Sequence, residues 1–162
     1  LGPKDIIGDL ELDNGQHLII TGTIHVTGNV NVGNHGSITL DPAYGSNSGM
    51  LIADGTIHLE NNGTMHGSGS PGSSLMLITH ATGGGHHDSA IDIHNGANGT
   101  IFYAPNGTIN LHNTATVSQL TADGITMSEG ARLTYDQGFL DARFTSGPAA
   151  AWTLVPGTWA AR

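Results

Sequence analysis

The chain has 162 residues, of which 10% are charged, and a formal net charge of −9 with four basic residues, Lys4, Arg132, Arg143 and Arg162. So few cations are poorly suited to neutralising a run of phosphates or holding an anionic bilayer, which argues against nucleic acid and a polybasic membrane contact as partners. Twenty-five glycines, 5% aromatic residues and no cysteine describe many short strands joined by tight corners, with glycine and asparagine supplying left-handed backbone and packing rather than disulfides holding them together.

In chain order, Leu1-Gly2-Pro3 (residues 1–3) matches the scar of a cleaved tag, which implies a natural segment upstream. Residues 4–16 are expected to cap one end of the fold. From residue 17 a unit recurs: glycine, polar, apolar, polar, apolar. It reads Gly22-Thr23-Ile24-His25-Val26, then Gly28-Asn29-Val30-Asn31-Val32 and Gly36-Ser37-Ile38-Thr39-Leu40. Gly55-Thr56-Ile57-His58-Leu59 and Gly63-Thr64-Met65 continue it. Later the apolar residues Ile93, Ile101, Ile109, Val117, Ile125 and Leu133 follow one another at a constant step, most with an apolar residue two positions on. Alternation over so few residues marks very short strands with one buried face.

Asn-Gly pairs between strands ordinarily signal hairpins. Here the spacing is too short for a sandwich, and the apolar position keeps one phase relative to the glycine. A chain that turns the same way at every corner and buries the same side coils. The expectation is therefore an all-β, single-domain parallel β-helix over residues 17–138, with about six coils of roughly 20–24 residues. Right-handed winding is expected from the rule for parallel crossovers. Residues 139–162, carrying Phe139, Leu140, Phe144, Trp152, Leu154, Val155 and Trp159, are expected to fold over the last coil as a cap. The Gly/Ser/Asn/Pro-rich segments 41–50, 67–74 and 81–89 interrupt the rhythm; corner insertions of this kind are where a partner would be met.

Ten histidines stand out. His25 and His58 occupy the same Gly-Thr-Ile-His slot, and alternation places both on the outer surface. His94 and His112 share another slot, in Ile-Asp-Ile-His-Asn and Ile-Asn-Leu-His-Asn. Equivalent slots in neighbouring coils stack, so paired imidazoles there could bind a metal or sense pH, against the plainer reading of histidine as a polar filler on a charge-poor surface. His86, His87 and Asp88, in a glycine loop, are the metal candidates by proximity in sequence; adjacent histidines on an extended chain diverge, so further ligands would have to come from elsewhere. No catalytic residue and no cofactor are expected, since Arg132 is the lone cation within the coils and no trio of coupled carboxylates is evident. Tyr44 and Phe102 are expected on the contact surface, Phe102 because alternation with Ile101 and Tyr103 turns it outward.

The stretch Gly99-Thr100-Ile101-Phe102-Tyr103-Ala104-Pro105-Asn106-Gly107-Thr108-Ile109 resembles the Tyr-Ala-Pro-Asn segment in the extracellular domains of PilX-type type IV pilus accessory proteins. Leu133-Thr134-Tyr135-Asp136, Trp152-Thr153-Leu154-Val155 and the opening Ile19–Asn29 region stand where that group has its last coil, its Trp-containing tail and its first coils. The resemblance implies a β-helical head displayed outside the cell and associated with a pilus. Its partners would be other pilus subunits or surface glycans, and it would touch a membrane only through an N-terminal helix not contained in this sequence. An isolated head of this kind is expected to be monomeric and non-enzymatic. Two alternatives remain open: a carbohydrate-binding or polysaccharide-degrading β-helix, and a bactofilin-like solenoid that assembles end to end.

Overall fold

An extended Ile-x-Val triplet turns both apolar side chains to one face, so it can be buried only if another such triplet lies beside it and a further face closes behind. The computed structural model, which describes residues 1–85, 88–128, 130–134 and 142–148, meets both demands with one large parallel sheet. The sheet curls nearly closed, through 287°, in a solenoid-like, all-β arrangement. A single 3-10 turn, Pro42–Tyr44, is the one helical element among the described residues.

Strands β1 (Lys4–Ile6), β2 (Leu10–Leu12) and β3 (His17–Ile20) form the first circuit. Next come β4 (Ile24–Val26), β5 (Val30–Val32) and β6 (Ser37–Leu40), then β7 (Gly49–Ala53), β8 (Ile57–Leu59) and β9 (Thr64–His66). Strand β10 (Leu75–Thr79) is followed by a small antiparallel pair, β11 (Gly84–Gly85) and β12 (Asp88–Ser89), and by β13 (Ile91–Ile93). Strands β14 (Asn98–Leu111) and β15 (Thr116–Met127) run on through corners, and β16 (Arg132–Leu133) ends the series.

Pairing sorts these strands into three parallel stacks. Stack A runs β1, β4, β7, β10 and the Ile101–Tyr103 part of β14. Stack B runs β2, β5, β8, β13 and the Ile109–Leu111 part of β14. Stack C runs β3, β6, β9 and the start of β14, and β15 lies on β14 along its whole course. Residues 4–16 therefore include the terminal strands of stacks A and B. Repeat lengths are uneven: Ile57 pairs with Ile91, and Ile109 with Ile125, well outside the 20–24 expected, because insertions enter at some corners and not others.

Inside, equivalent residues stack. Ile24, Leu51, Leu77 and Phe102 line stack A, while Val30, Ile57, Ile91 and Ile109 line stack B, all fully buried. Each such side chain contributes about 1.5–3 kcal/mol of burial. Phe102 thus points inward, contrary to expectation. The reason lies at the corner before it: β14 passes from stack C to stack A between Asn98 and Ile101, and Leu77↔Phe102 becomes the inward pair. The ring lies over Gly99, where a Cβ would collide with it, and Tyr103 takes the outer position, 38% exposed. Tyr44, also expected at the surface, is buried beneath its own loop.

Asn14-Gly15, Asn62-Gly63 and Asn95-Gly96 prove to be corners between stacks B and C, whereas Asn98-Gly99 and Asn106-Gly107 lie within β14. A four-residue turn recurs, closed by Gln16 N–H to Asp13 O, Gly36 to Gly33, Gly63 to Glu60, Ala97 to His94, Ala115 to His112 and Ala131 to Ser128. Its third residue is left-handed each time: Gly15, His35, Asn62, Gly96, Thr114 and Gly130. Its second residue is usually asparagine, and these side chains bond up the stack, Asn34 Nδ2 to Asn14 Oδ1 at 3.1 Å and Asn61 Nδ2 to Asn34 Oδ1 at 3.0 Å.

Two insertions share the corner between stacks C and A. Ser68 Oγ donates to Gly45 O, Ser73 Oγ to Asn47 O, and Ser74 N–H to Ser48 Oγ, so residues 41–48 and 67–74 form one ridge. The described part of the C-terminal segment, 142–148, does not lie over the last strands. It runs along this same corner beside the early strands, with Thr145 N–H donating to Ser48 O and Thr23 N–H to Ser146 O. Tyr135, Phe139, Leu140, Trp152 and Trp159 lie outside the described residues.

Candidate functional site

The outer face of stack B carries the densest functional chemistry. Because β8, β13 and β14 are in register, His58, Asp92 and Asn110 form one outward column. Two residues on, where the strands enter the Asn-bearing turns, Glu60, His94 and His112 form a second column. The backbone fixes this second column tightly: the N–H groups of Glu60, His94 and His112 donate to the carbonyls of Val32, Leu59 and Ile93 in the preceding strands of stack B, and their own carbonyls accept the turn bonds.

Asp92 sits among three imidazoles. His112 Nε2 donates to Asp92 Oδ1 at 2.6 Å, while Asp92 Oδ2 lies 3.4 Å from His94 Nε2 and 3.9 Å from His58 Nδ1. The His94 ring is 4.8 Å from that of His112, one strand spacing, and its Nδ1 is 3.8 Å from Glu60 Oε2. The Asp92 side chain is 13% exposed and the histidines about a third, so the carboxylate is sheltered and the rings are reachable. An open depression lies beside this cluster toward the N-terminal strands, lined by Glu11, Asn31, His58 and Glu60 among others.

The expectation that His94 and His112 stack is met by this geometry. His25 and His58, alike in sequence slot, part company: His58 is on stack B, and His25 is on stack A in β4. There His25 Nε2 bonds Asp54 Oδ1 at 3.2 Å, with Asp5 at 3.5 Å and His80 on the far side of Asp54 at 3.4 Å. The hydrogen bond to Asp54 raises the His25 pKa above the ordinary value of 6.5, with the charges of Asp54 and Asp5 acting the same way. Hydrogen bonds from His25 and His80 hold the Asp54 carboxyl below its ordinary value.

His86 and His87 lie outside the described residues, and Asp88 is exposed in β12. Arg132 is exposed in β16 on stack C, apart from the stack B carboxylates. Glu60 went unnoticed in the sequence because a full circuit separates it from His94, and Asp92 because His58 and His112 reach it across circuits of different length; the one available signal was Asp and His alternating with buried Ile in Ile91–His94.

Comparison of the chain with protein-family models, with characterised proteins and with solved structures gives no match.

Proposed function

We propose that the chain is a non-enzymatic surface module, the exposed head of a type IV pilus-associated, minor pilin-like protein. In its finer form it is a right-handed parallel β-helix of about six coils, displayed outside the cell. The observation that carries this reading is the division between inside and outside. The interior is filled by stacked Ile, Leu and Val from all three stacks, and the polar groups are spread in columns along outer faces and on the ridge formed by 41–48 and 67–74. Such a body is a rigid spacer that presents side faces and a ridge, which suits display and contact. The Tyr-Ala-Pro-Asn segment that carries the resemblance lies within β14, held between β10 and β15.

Ile125, Met127 and Leu133 occupy positions in register with buried Ile109, Leu111 and Val117, yet they are 45–48% exposed. They are the surface an end cap would cover. In the end-to-end alternative, a second copy would cover them instead. A glycan-binding alternative is favoured by the depression beside His58 and Glu60, whose polar lining and length along stack B suit an extended saccharide.

The test is an immunoblot of sheared, purified surface filaments from the source organism, probed with an antibody to this chain. Enrichment with the filaments is expected. Recovery of the protein free in the medium and absent from filaments would overturn the pilus reading.

A further inference from the structure

We propose that His58, Asp92 and His94 form a binding site for one divalent transition-metal ion of the zinc class. One ligand atom from each of the three lies within 4.8 Å of the others. Ligands at about 2.0–2.1 Å from a tetrahedral ion stand roughly 3.3–3.4 Å apart. Asp92 Oδ2 and His94 Nε2 are already at 3.4 Å, and His58 Nδ1 is 3.9 Å from the same oxygen. The remaining closure falls to the imidazoles, which are about a third exposed, over a backbone fixed by the parallel ladder.

Two of the three, Asp92 and His94, have groups behind them of the kind a metal site uses. A ligating histidine normally presents its other nitrogen to a carboxylate, and a ligating carboxylate is itself hydrogen-bonded. His94 has Glu60 at 3.8 Å from its Nδ1. Asp92 has His112 on its second oxygen at 2.6 Å, leaving Oδ2 directed at the other two rings. Two imidazoles and one carboxylate select zinc, cobalt, nickel or copper over calcium and magnesium, which prefer all-oxygen sites. Three protein ligands leave a fourth position for water or for a donor from a partner. The site borders the depression lined by His58 and Glu60, and its existence does not depend on the pilus reading.

The experiment is isothermal titration of the whole, untagged 162-residue chain with Zn²⁺, accompanied by absorption spectra with Co²⁺. One ion per chain and a tetrahedral cobalt spectrum are expected. His58→Gln and Asp92→Asn should each abolish the cobalt spectrum. Glu60→Gln and His112→Gln, one step removed, should weaken affinity by about 10–100-fold. His58→Gln alters a part-exposed side chain, and its thermal melt without metal reports whether the fold is intact; His25→Gln, in the other histidine cluster, should bind as the parent does. Absence of zinc binding by the parent would overturn the proposal, and so would undiminished binding and an unchanged cobalt spectrum in folded His58→Gln and Asp92→Asn variants.

Discussion

At the scale of single residues, outward positions on a parallel stack acquire neighbours that no local sequence window contains. His25 and Asp54 show this on stack A, where β4 lies on β7 and Asp54 follows the strand end. The folded pKa of His25 is raised, so its contribution to stability is complete below the unfolded value of about 6.5 and is lost as pH rises through the folded pKa. That of Asp54 is lowered, so its contribution is present above the unfolded carboxylate value and is lost as pH falls through the folded one. The pair therefore stabilises most between about pH 4 and 6.5. A proton NMR titration should place the His25 midpoint above 6.5, and Asp54→Asn should bring it down. A parent midpoint at or below 6.5 would contradict the contact. His25 was legible as an outward histidine; its carboxylate was not, because the partner's place depends on how many residues the intervening corner absorbs.

At the scale of elements, the corner between stacks B and C is the unit that makes the chain coil. Its left-handed third residue is glycine or asparagine in four of its six occurrences, counting Gly15, Asn62, Gly96 and Gly130 against His35 and Thr114. Thr114, at φ 61°, is a β-branched residue in that conformation. Left-handed backbone costs a side-chain-bearing residue about 1–2 kcal/mol, while glycine loses roughly 0.4–1 kcal/mol through the freedom of the unfolded chain. Thr114→Gly is thus expected to raise stability by about 0.5–1 kcal/mol, read from urea melts at constant m-value; a destabilised variant would show that the turn is not the limiting geometry. Asn62-Gly63 marked one of these corners in the sequence, while Asn98-Gly99 and Asn106-Gly107 fall within β14, and the direction of such pairs was ambiguous between hairpin and coil. The constant phase of the apolar residues resolved it. Phe102 escaped that rule since β14 passes from stack C to stack A just before it, and the phase changes within one continuous strand.

At the scale of the whole molecule, the account rests on parallel, in-register stacking of strands separated by corners of unequal length. The three-sided curl was legible from composition and rhythm. The stack B cluster was legible only in its histidine pair, because Glu60 and His58 reach Asp92 and His94 through a circuit of variable length. The course of 142–148 along the early strands was not legible at all, since its bonds to Thr23 and Ser48 are backbone bonds that carry little side-chain signature. The chain has no cysteine, so two introduced thiols report on register without interference. Ser37 and Thr64 are paired across β6 and β9, and Thr39 pairs with His66. Neighbouring strands stand about 4.8 Å apart, within disulfide reach, whereas Ser37 and His66 are offset by two positions, about 8 Å. The most direct measurement is the oxidation of Ser37→Cys/Thr64→Cys beside Ser37→Cys/His66→Cys, followed by intact mass and non-reducing electrophoresis. The account requires rapid, complete disulfide formation in the first pair and little in the second. No bond in the first pair, or equal bonding in both, would contradict the parallel solenoid on which every other inference stands.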